Sequence, residues 1–204
     1  MIGPVYFVTD ATAPLPVADQ ARAAARAGVR CIQLRDKRAS AAGLTRQAHA
    51  LKAMLAPFGA RLIINDRVDV ACAVQADGVH VGQGDGDVRA IRARIGADMT
   101  LGLSVEHLDQ LQGIPSGMVD YLGVGPVRAT ATKPDAAAPL GVDGLARIVA
   151  ATDLPAVAIG GLGPGDAAAL KKTRVLGMAV VSAIARAADP EAAASRLIRE
   201  WRDA

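Results

Sequence analysis

Aromatic side chains are scarce in this chain: Phe, Trp and Tyr together make up 2% of its 204 residues. That argues against the stacking platforms by which proteins hold single-stranded nucleic acid. A dominant sign of charge is also missing. The 23 basic and 20 acidic side chains leave a net charge of +3, with the arginines evenly spread. Neither a nucleic-acid surface nor a membrane surface is indicated, so any anion specificity must reside in particular basic residues of a site. Cysteine is limited to Cys31 and Cys72, without CxxC or metal-ligand spacing, which reads as two buried thiols of a reducing compartment. The longest apolar run, Val175 to Ala185, is bounded by Arg174 and Arg186 and is too short to span a bilayer. Met1-Ile2-Gly3-Pro4 leads into an apparent strand with no signal-peptide pattern. A soluble, cytoplasmic protein is expected, with small-molecule substrates as its partners and a homo-oligomer left open.

What is present is alternation. Strand-like segments at Val5–Thr9, Arg30–Arg35, Arg61–Asn65, Gly78–Val81, Thr100–Ser104, Tyr121–Gly125, Ala156–Ile159 and Met178–Val181 are each followed by a helix-like segment. The helices are expected at Val17–Ala27, Ala41–Leu55, Val68–Val74, Val88–Ile95, near Glu106–Leu111, at Gly144–Ala151, from Pro164 to about Lys172, and from Asp189-Pro190-Glu191 onward. Eight such units without an internal break indicate one (β/α)₈ barrel domain over residues 1–204. A doubly wound sheet would more typically carry five or six strands. Only the loop from Gly125 to Gly141 is long, and a long loop in a compact domain is often functional.

The segment Leu62 to Asp85 organises the rest. Its two strands end in Asn65-Asp66 and Gln83-Gly84-Asp85. Paired as parallel neighbours about 5 Å apart, they bring two carboxylates side by side. Such a pair would repel unless a cation sat between them. Mg²⁺ fits, since it is usually held by one or two carboxylates plus substrate phosphates. The competing reading is that Asp66 and Asp85 cap the helices that follow.

Strand two ends Gln33-Leu34-Arg35-Asp36-Lys37. Alternation places Gln33 and Arg35 on the face opposite Ile32 and Leu34, so the aliphatic pair should pack on helices and the polar pair should face the barrel mouth. Arginine and lysine at that rim suit a diphosphate, although a surface salt-bridge cluster remains the competing reading for Asp36 and Lys37. The long loop carries Thr130-Ala131-Thr132-Lys133, two hydroxyls and a cation able to wrap phosphate oxygens. Strand seven runs into Gly160-Gly161, and strand eight into Val181-Ser182. Loops after strands seven and eight of a barrel frequently form a phosphate site, where glycine lets backbone approach the anion. Of the three histidines, His49 reads as solvated, His80 as a satisfied interior residue, and His107 could line the mouth.

Taken together, Gln33-Leu-Arg-Asp-Lys37, Ile64-Asn-Asp66, Asp77-Gly-Val-His-Val-Gly-Gln-Gly-Asp85, Gly102-Leu-Ser104, Thr130-Ala-Thr-Lys133, Ile159-Gly-Gly161 and Val181-Ser182 resemble the thiamine phosphate synthase family over nearly the whole chain. The resemblance implies a Mg²⁺-dependent transferase on a (β/α)₈ barrel, joining 4-amino-2-methyl-5-hydroxymethylpyrimidine diphosphate to a thiazole phosphate with release of diphosphate. It implies Asp66 and Asp85 as metal ligands. It implies Gln33, Leu34, Arg35, Asp36, Lys37, Asn65, Ser104 and Lys133 around the pyrimidine diphosphate, with Arg35, Lys133 and Ser104 in catalytic roles. It implies Thr130, Ala131, Thr132, Gly160, Gly161, Val181 and Ser182 around the thiazole phosphate. In the family the C–O bond to diphosphate is thought to break first, leaving a carbocation that the thiazole nitrogen attacks. Two departures stand out. The aromatic residue often found before the Thr-x-Thr-Lys run is replaced by Arg128-Ala129, and the histidine commonly two residues after the serine is replaced by Glu106. A related thiazole tautomerase would need one phosphate site and no diphosphate–metal site, which Asp66, Asp85 and Lys133 count against. A non-catalytic phosphate-ligand sensor would be expected to have lost one of these residues.

Overall fold

Eight short parallel strands close on themselves in chain order, each hydrogen-bonded to the next and the eighth to the first. They are β1 Val5–Val8, β2 Cys31–Leu34, β3 Arg61–Asn65, β4 Gly78–Val81, β5 Thr100–Val105, β6 Tyr121–Val124, β7 Ala156–Ile159 and β8 Gly177–Val180. The helices are α1 Val17–Arg26, α2 Ala41–Leu55, α3 Val68–Val74, α4 Val88–Ile95, α5 Gly141–Ala150, α6 Ala167–Lys171, α7 Ser182–Ala185 and α8 Pro190–Asp203. This computed structural model describes residues 2–130, 132–133 and 137–204. Among the described residues no helix is long and apolar enough to cross a membrane.

The period-two alternation of the strands separates two apolar layers. Tyr6, Val8, Cys31, Ile63, Tyr121, Val157 and Ala179 fill the barrel interior. Phe7, Ile32, Leu34, Leu62, Ile64 and their counterparts on the other strands pack outward against the helices. The face assignment expected for strand two therefore holds: Ile32 and Leu34 lie under the helices, while Cys31 and Gln33 point inward. Cys31 is buried as expected, but Cys72 is only partly so, because it lies on the outer side of α3 with Sγ 3.9 Å from the Arg94 carbonyl.

Helix starts follow local chemistry. Ser40 caps α2 by accepting from Gly43 N, Asp87 caps α4 by accepting from Ala90 N, and Asp189 caps α8 with Pro190 in the first turn. At the N-terminal end of the barrel, Asp77 Oδ2 accepts from Leu62 N at 2.8 Å and Asp120 Oδ2 accepts from Leu101 N at 2.7 Å. These carboxylates tie β3 to β4 and β5 to β6 away from the mouth, a placement that serves stability.

Three elements differ from expectation. The helix expected near Glu106–Leu111 is a 3₁₀ turn, Leu108–Gly113, cut short by Gly113 and Pro115. Pro164 does not open α6, which begins at Ala167 after a turn, with Gly165 at φ 89°. The one-turn helix α7 lies between β8 and α8; four residues are too few to display a helical period in sequence.

Candidate active site

The C-terminal ends of the strands surround a cavity of about 190 Å³. Its walls come from every strand end, and its floor is polar.

On one side, β2 delivers Gln33, Arg35 and Lys37, β3 Asn65, and the β4 loop Asp85. Arg35 is anchored by its backbone N–H donating to Thr9 Oγ1 at 3.0 Å. Among the described residues its guanidinium forms no ion pair. Asp66 occupies the left-handed region at φ 51°, a conformation Asp accepts more readily than most residues but one that costs energy outside glycine. Its Oδ2 accepts from Asn65 Nδ2 at 2.8 Å and pairs with Lys37 Nζ at 2.6 Å. Asp85 Oδ2 accepts from Gly82 N at 2.7 Å, and Gln83 Nε2 fastens the same loop to the Ser104 carbonyl at 2.7 Å. Neither aspartate is a helix cap: α4 is capped by Asp87, and Arg67 is the residue that precedes α3. That removes the capping alternative for both.

Asp66 and Asp85 also face a common shallow depression toward α3 and α4. Their oxygens form a hard donor set, and among the described residues no cluster of three or more His, Cys, Asp or Glu stands ready for a metal. Two carboxylates beside a cavity lined by Arg35 and Lys37 fit Mg²⁺, which keeps several waters and draws other ligands from substrate phosphates. A softer ion would want nitrogen or sulfur donors, and none stands here.

The opposite wall is built by backbone. Gly160 and Gly161 sit at φ 97° and 66°. Val127 N donates to the Ile159 carbonyl at 2.9 Å and Arg128 N to the Gly160 carbonyl at 3.0 Å, so the loop after β6 is laid directly on the end of β7. A Cβ on Gly160 would come within 2.5 Å of Pro126, and one on Gly161 within 2.6 Å of the Ala129 carbonyl. Glycine is therefore demanded here by loop docking and by positive φ, a constraint separate from the anion approach read from the sequence. Arg128, standing where the family often has an aromatic residue, pairs with Asp166, whose other oxygen accepts from Gly163 N at 2.9 Å. An ion pair thus fastens the loop. Thr130, Thr132, Val181 and Ser182 complete this wall, with Lys133 at its edge joined to Glu106 Oε1 at 2.8 Å.

The floor is a hydrogen-bonded chain across the barrel. Ser104 Oγ is 3.0 Å from His80 Nε2, His80 Nδ1 is 2.9 Å from Tyr121 OH, Tyr121 OH is 2.9 Å from Tyr6 OH, and Gln33 Nε2 donates to Tyr6 OH at 2.8 Å. Burial pushes His80 down to about 4 and both tyrosines well above their ordinary 10, so all three are neutral at physiological pH.

Most residues expected at the site thus line one cavity: Gln33, Arg35, Lys37, Asn65, Asp85, Ser104, Thr130, Thr132, Lys133, Gly160, Gly161, Val181 and Ser182. Three others are placed differently. The Leu34 side chain is fully buried under the helices, leaving only its backbone toward the mouth. The Asp36 carboxylate turns back to accept from Arg38 N at 2.9 Å and Ala39 N at 3.2 Å, holding the turn before α2. Asp66 stands outside the main cavity, on the α3–α4 side of Lys37. Ala131 lies outside the described residues. His107 does not line the cavity, whereas His80 does, interior and satisfied as the sequence suggested. Tyr6 and Glu106 were not assigned from sequence. Tyr6 does carry a signal in the sequence: it is one of only two tyrosines in the chain and falls at an inward position of β1.

Comparisons with known proteins identify the family. The family model for thiamine monophosphate synthase matches residues 5–184. The thiamine-phosphate synthase of Azorhizobium caulinodans is 46% identical over 195 residues, spanning 95% of this chain and 92% of that protein. That of Archaeoglobus fulgidus is 43% identical over 194 residues, spanning 95% and 91%. Among solved structures, thiamine phosphate pyrophosphorylase from Pyrococcus furiosus superposes with a TM-score of 0.88 at 33% identity, covering 98% of this chain and 95% of that one. With matches of this length and identity on a barrel of the same topology, the chain belongs to the thiamine monophosphate synthase family.

Proposed function

We propose that this chain is the transferase of thiamine biosynthesis that condenses 4-amino-2-methyl-5-hydroxymethylpyrimidine diphosphate with thiazole phosphate, giving thiamine phosphate and diphosphate. The observation that carries it is the cavity itself: Arg35, Lys37 and Asp85 on the β2–β4 side face Gly160, Gly161, Val181 and Ser182 on the β7–β8 side across one closed barrel, which supports a diphosphate on the first wall and a phosphate on the second. A tautomerase acting on a single phosphate ester has no use for Arg35, Lys37, Asp66 and Asp85 together on the first wall.

The roles follow from chemistry. Arg35 and Lys37 bind the diphosphate by charge-assisted hydrogen bonds. Asp66 and Asp85 would hold Mg²⁺, which when bound would supply charge stabilisation to the leaving diphosphate. Lys133 reaches the same leaving group from the loop after β6, releasing Glu106 as it does so. Gln33 and Ser104, at the ends of the floor, orient the pyrimidine ring. On the far wall the backbone of Gly160, Gly161, Val181 and Ser182, with the hydroxyls of Thr130 and Thr132, binds the thiazole phosphate. The C–O bond to diphosphate breaks and its electron pair leaves with the diphosphate; the thiazole nitrogen lone pair then forms the new C–N bond. No side chain forms a covalent bond in this sequence, so rate comes from electrostatics and positioning.

Calorimetric titration tests the metal assignment. Pyrimidine diphosphate with Mg²⁺ should bind the wild type tightly, and Asp85→Asn at least about tenfold more weakly. Thiazole phosphate should bind both alike. Equal pyrimidine diphosphate affinity in the two proteins would contradict it.

A further inference from the structure

The floor of the cavity has a direction. Tyr6 OH is within hydrogen-bond distance of two partners, Gln33 Nε2 and Tyr121 OH. The first carries protons, so Tyr6 accepts from Gln33 and its own proton goes to Tyr121. Were Tyr121 to donate to Tyr6 instead, the Tyr6 proton would be left with only the neighbouring Cys31 sulfur, a weak acceptor, in place of a hydroxyl oxygen. Tyr121 therefore donates onward to His80 Nδ1. A neutral imidazole that accepts at Nδ1 carries its proton on Nε2. That proton goes to Ser104 Oγ, 3.0 Å away. At the ends of the chain, the Ser104 proton and the Gln33 carbonyl oxygen are left over, both residues lining the cavity.

The barrel is shaped around this chain. The inward positions of β5 and β6 beside it are glycines. A Cβ on Gly102 would fall 2.2 Å from Tyr121 Cζ and 2.4 Å from His80 Nδ1; one on Gly123 would fall 2.9 Å from His80 Cε1. His80 and Tyr121 stack obliquely with ring centroids 5.4 Å apart, and Tyr6 and Tyr121 at 6.1 Å. In a chain with two tyrosines and three histidines, two glycine positions make room for two of those five side chains, His80 and Tyr121.

We propose that Tyr6, Tyr121 and His80 are positioning residues that set Ser104 as a hydrogen-bond donor and Gln33 as an acceptor, and thereby select an aminopyrimidine over an oxopyrimidine. A 4-aminopyrimidine edge offers a ring-nitrogen acceptor beside an amino donor. The 4-oxo analogue inverts the pair, offering an N–H donor beside a carbonyl acceptor. To accept it the relay would have to reverse every bond and turn the Gln33 amide over. This rests on the reading above that the pyrimidine lies between Gln33 and Ser104.

The experiment has a spectroscopic and a kinetic arm. In ¹⁵N-labelled ligand-free protein, His80 should show a protonated Nε2 and a pyridine-like Nδ1, and Tyr121→Phe should shift that tautomer balance. In steady-state kinetics the wild type should prefer the amino over the 4-oxo pyrimidine diphosphate by at least about 10²-fold in kcat/KM. Tyr121→Phe should reduce the preference about tenfold, with the KM for thiazole phosphate changed less than about twofold. Tyr6→Phe leaves the Tyr121–His80 bond in place. Without the Tyr6 proton nothing obliges Tyr121 to donate onward, so the variant should reduce the preference and shift part of the His80 population toward the Nδ1-protonated tautomer, and it serves if Tyr121→Phe does not fold. A wild-type His80 protonated on Nδ1, or an undiminished preference in both folded variants, would overturn the proposal. So would equal losses toward both substrates. Wild-type protein without any turnover would overturn the functional reading and the substrate half of this proposal with it, while the tautomer still decides the relay.

Discussion

Lys37 Nζ stands 2.6 Å from Asp66 Oδ2, so a carboxylate proposed for Mg²⁺ is already held by a cation proposed for the diphosphate. The repulsion expected between Asp66 and a neighbouring acid is relieved in this structure from within the protein. Metal binding then has to displace an ammonium, which the incoming diphosphate can draw away. An ion pair with this much exposed side chain contributes about 0.2–1 kcal/mol, a factor of up to about five. Lys37→Met should accordingly tighten Mg²⁺ binding to the ligand-free protein by up to about fivefold, measured by calorimetry, while weakening pyrimidine diphosphate. Unchanged or weaker Mg²⁺ affinity would show that Lys37 does not compete for Asp66.

The second ion pair at the mouth predicts a different split. Lys133 pairs with Glu106 at 2.8 Å. Lys133→Ala should lower kcat by about 10²–10³, the effect of removing one preorganised electrostatic donor. Glu106→Gln frees the ammonium and removes a negative charge from a cavity that receives a polyanion, so KM for pyrimidine diphosphate should fall with kcat nearly unchanged. A loss confined to KM in Lys133→Ala would mean that the lysine binds ground and transition states alike.

His80 makes stability depend on pH. Its folded-state value is about 4, below the ordinary 6.5, because burial disfavours the imidazolium. The unfolded chain therefore takes up the proton first as pH falls. The contribution is fully present above about pH 6.5 and is lost progressively down to about pH 4. Between pH 7.5 and 5 this amounts to about 2 kcal/mol. Urea unfolding at the two pH values should show that loss in the wild type and a correspondingly smaller one in His80→Gln. Equal pH dependence in both proteins would contradict the assignment.

Arg92 should matter for stability alone. Its guanidinium donates to the carbonyls of Met118, Gly96 and Met99 at 2.8–2.9 Å and to Asp120 Oδ2 at 2.6 Å, all at the end of the barrel away from the mouth. Arg92→Ala should cost about 1–3 kcal/mol in urea unfolding and leave kcat/KM at low temperature within about twofold. A large kinetic defect in the folded variant would tie this end of the barrel to the site.

Much of the barrel could be read from sequence because each strand is a short apolar run followed by a polar end, and the period of two assigns faces. That reading places Gln33 inward and Leu34 under the helices, as observed. It could not show Asp36 turning back onto Arg38 and Ala39, since a rim carboxylate and a turn carboxylate look alike in sequence. The reason for Gly161 was also only half visible. An anion site and a docked loop both ask for glycine, and the closeness of Ala129, distant in sequence, appears only once β6 and β7 are adjacent. Glu106 and Arg128 stood out as departures from the family pattern. Their partners, Lys133 and Asp166, lie 27 and 38 positions away, beyond the reach of local spacing. The floor from Ser104 to Gln33 escaped for the same reason: its members sit on β1, β2, β4, β5 and β6, and no segment holds more than one of them.

The most direct test of the central claim is turnover by the purified chain given both substrates, following thiamine phosphate and diphosphate together with and without Mg²⁺. The two products should appear in a one-to-one ratio when Mg²⁺ is present and fall to background when it is chelated. No thiamine phosphate at saturating substrates and Mg²⁺, or diphosphate released without it, would contradict a synthase built on these two facing walls.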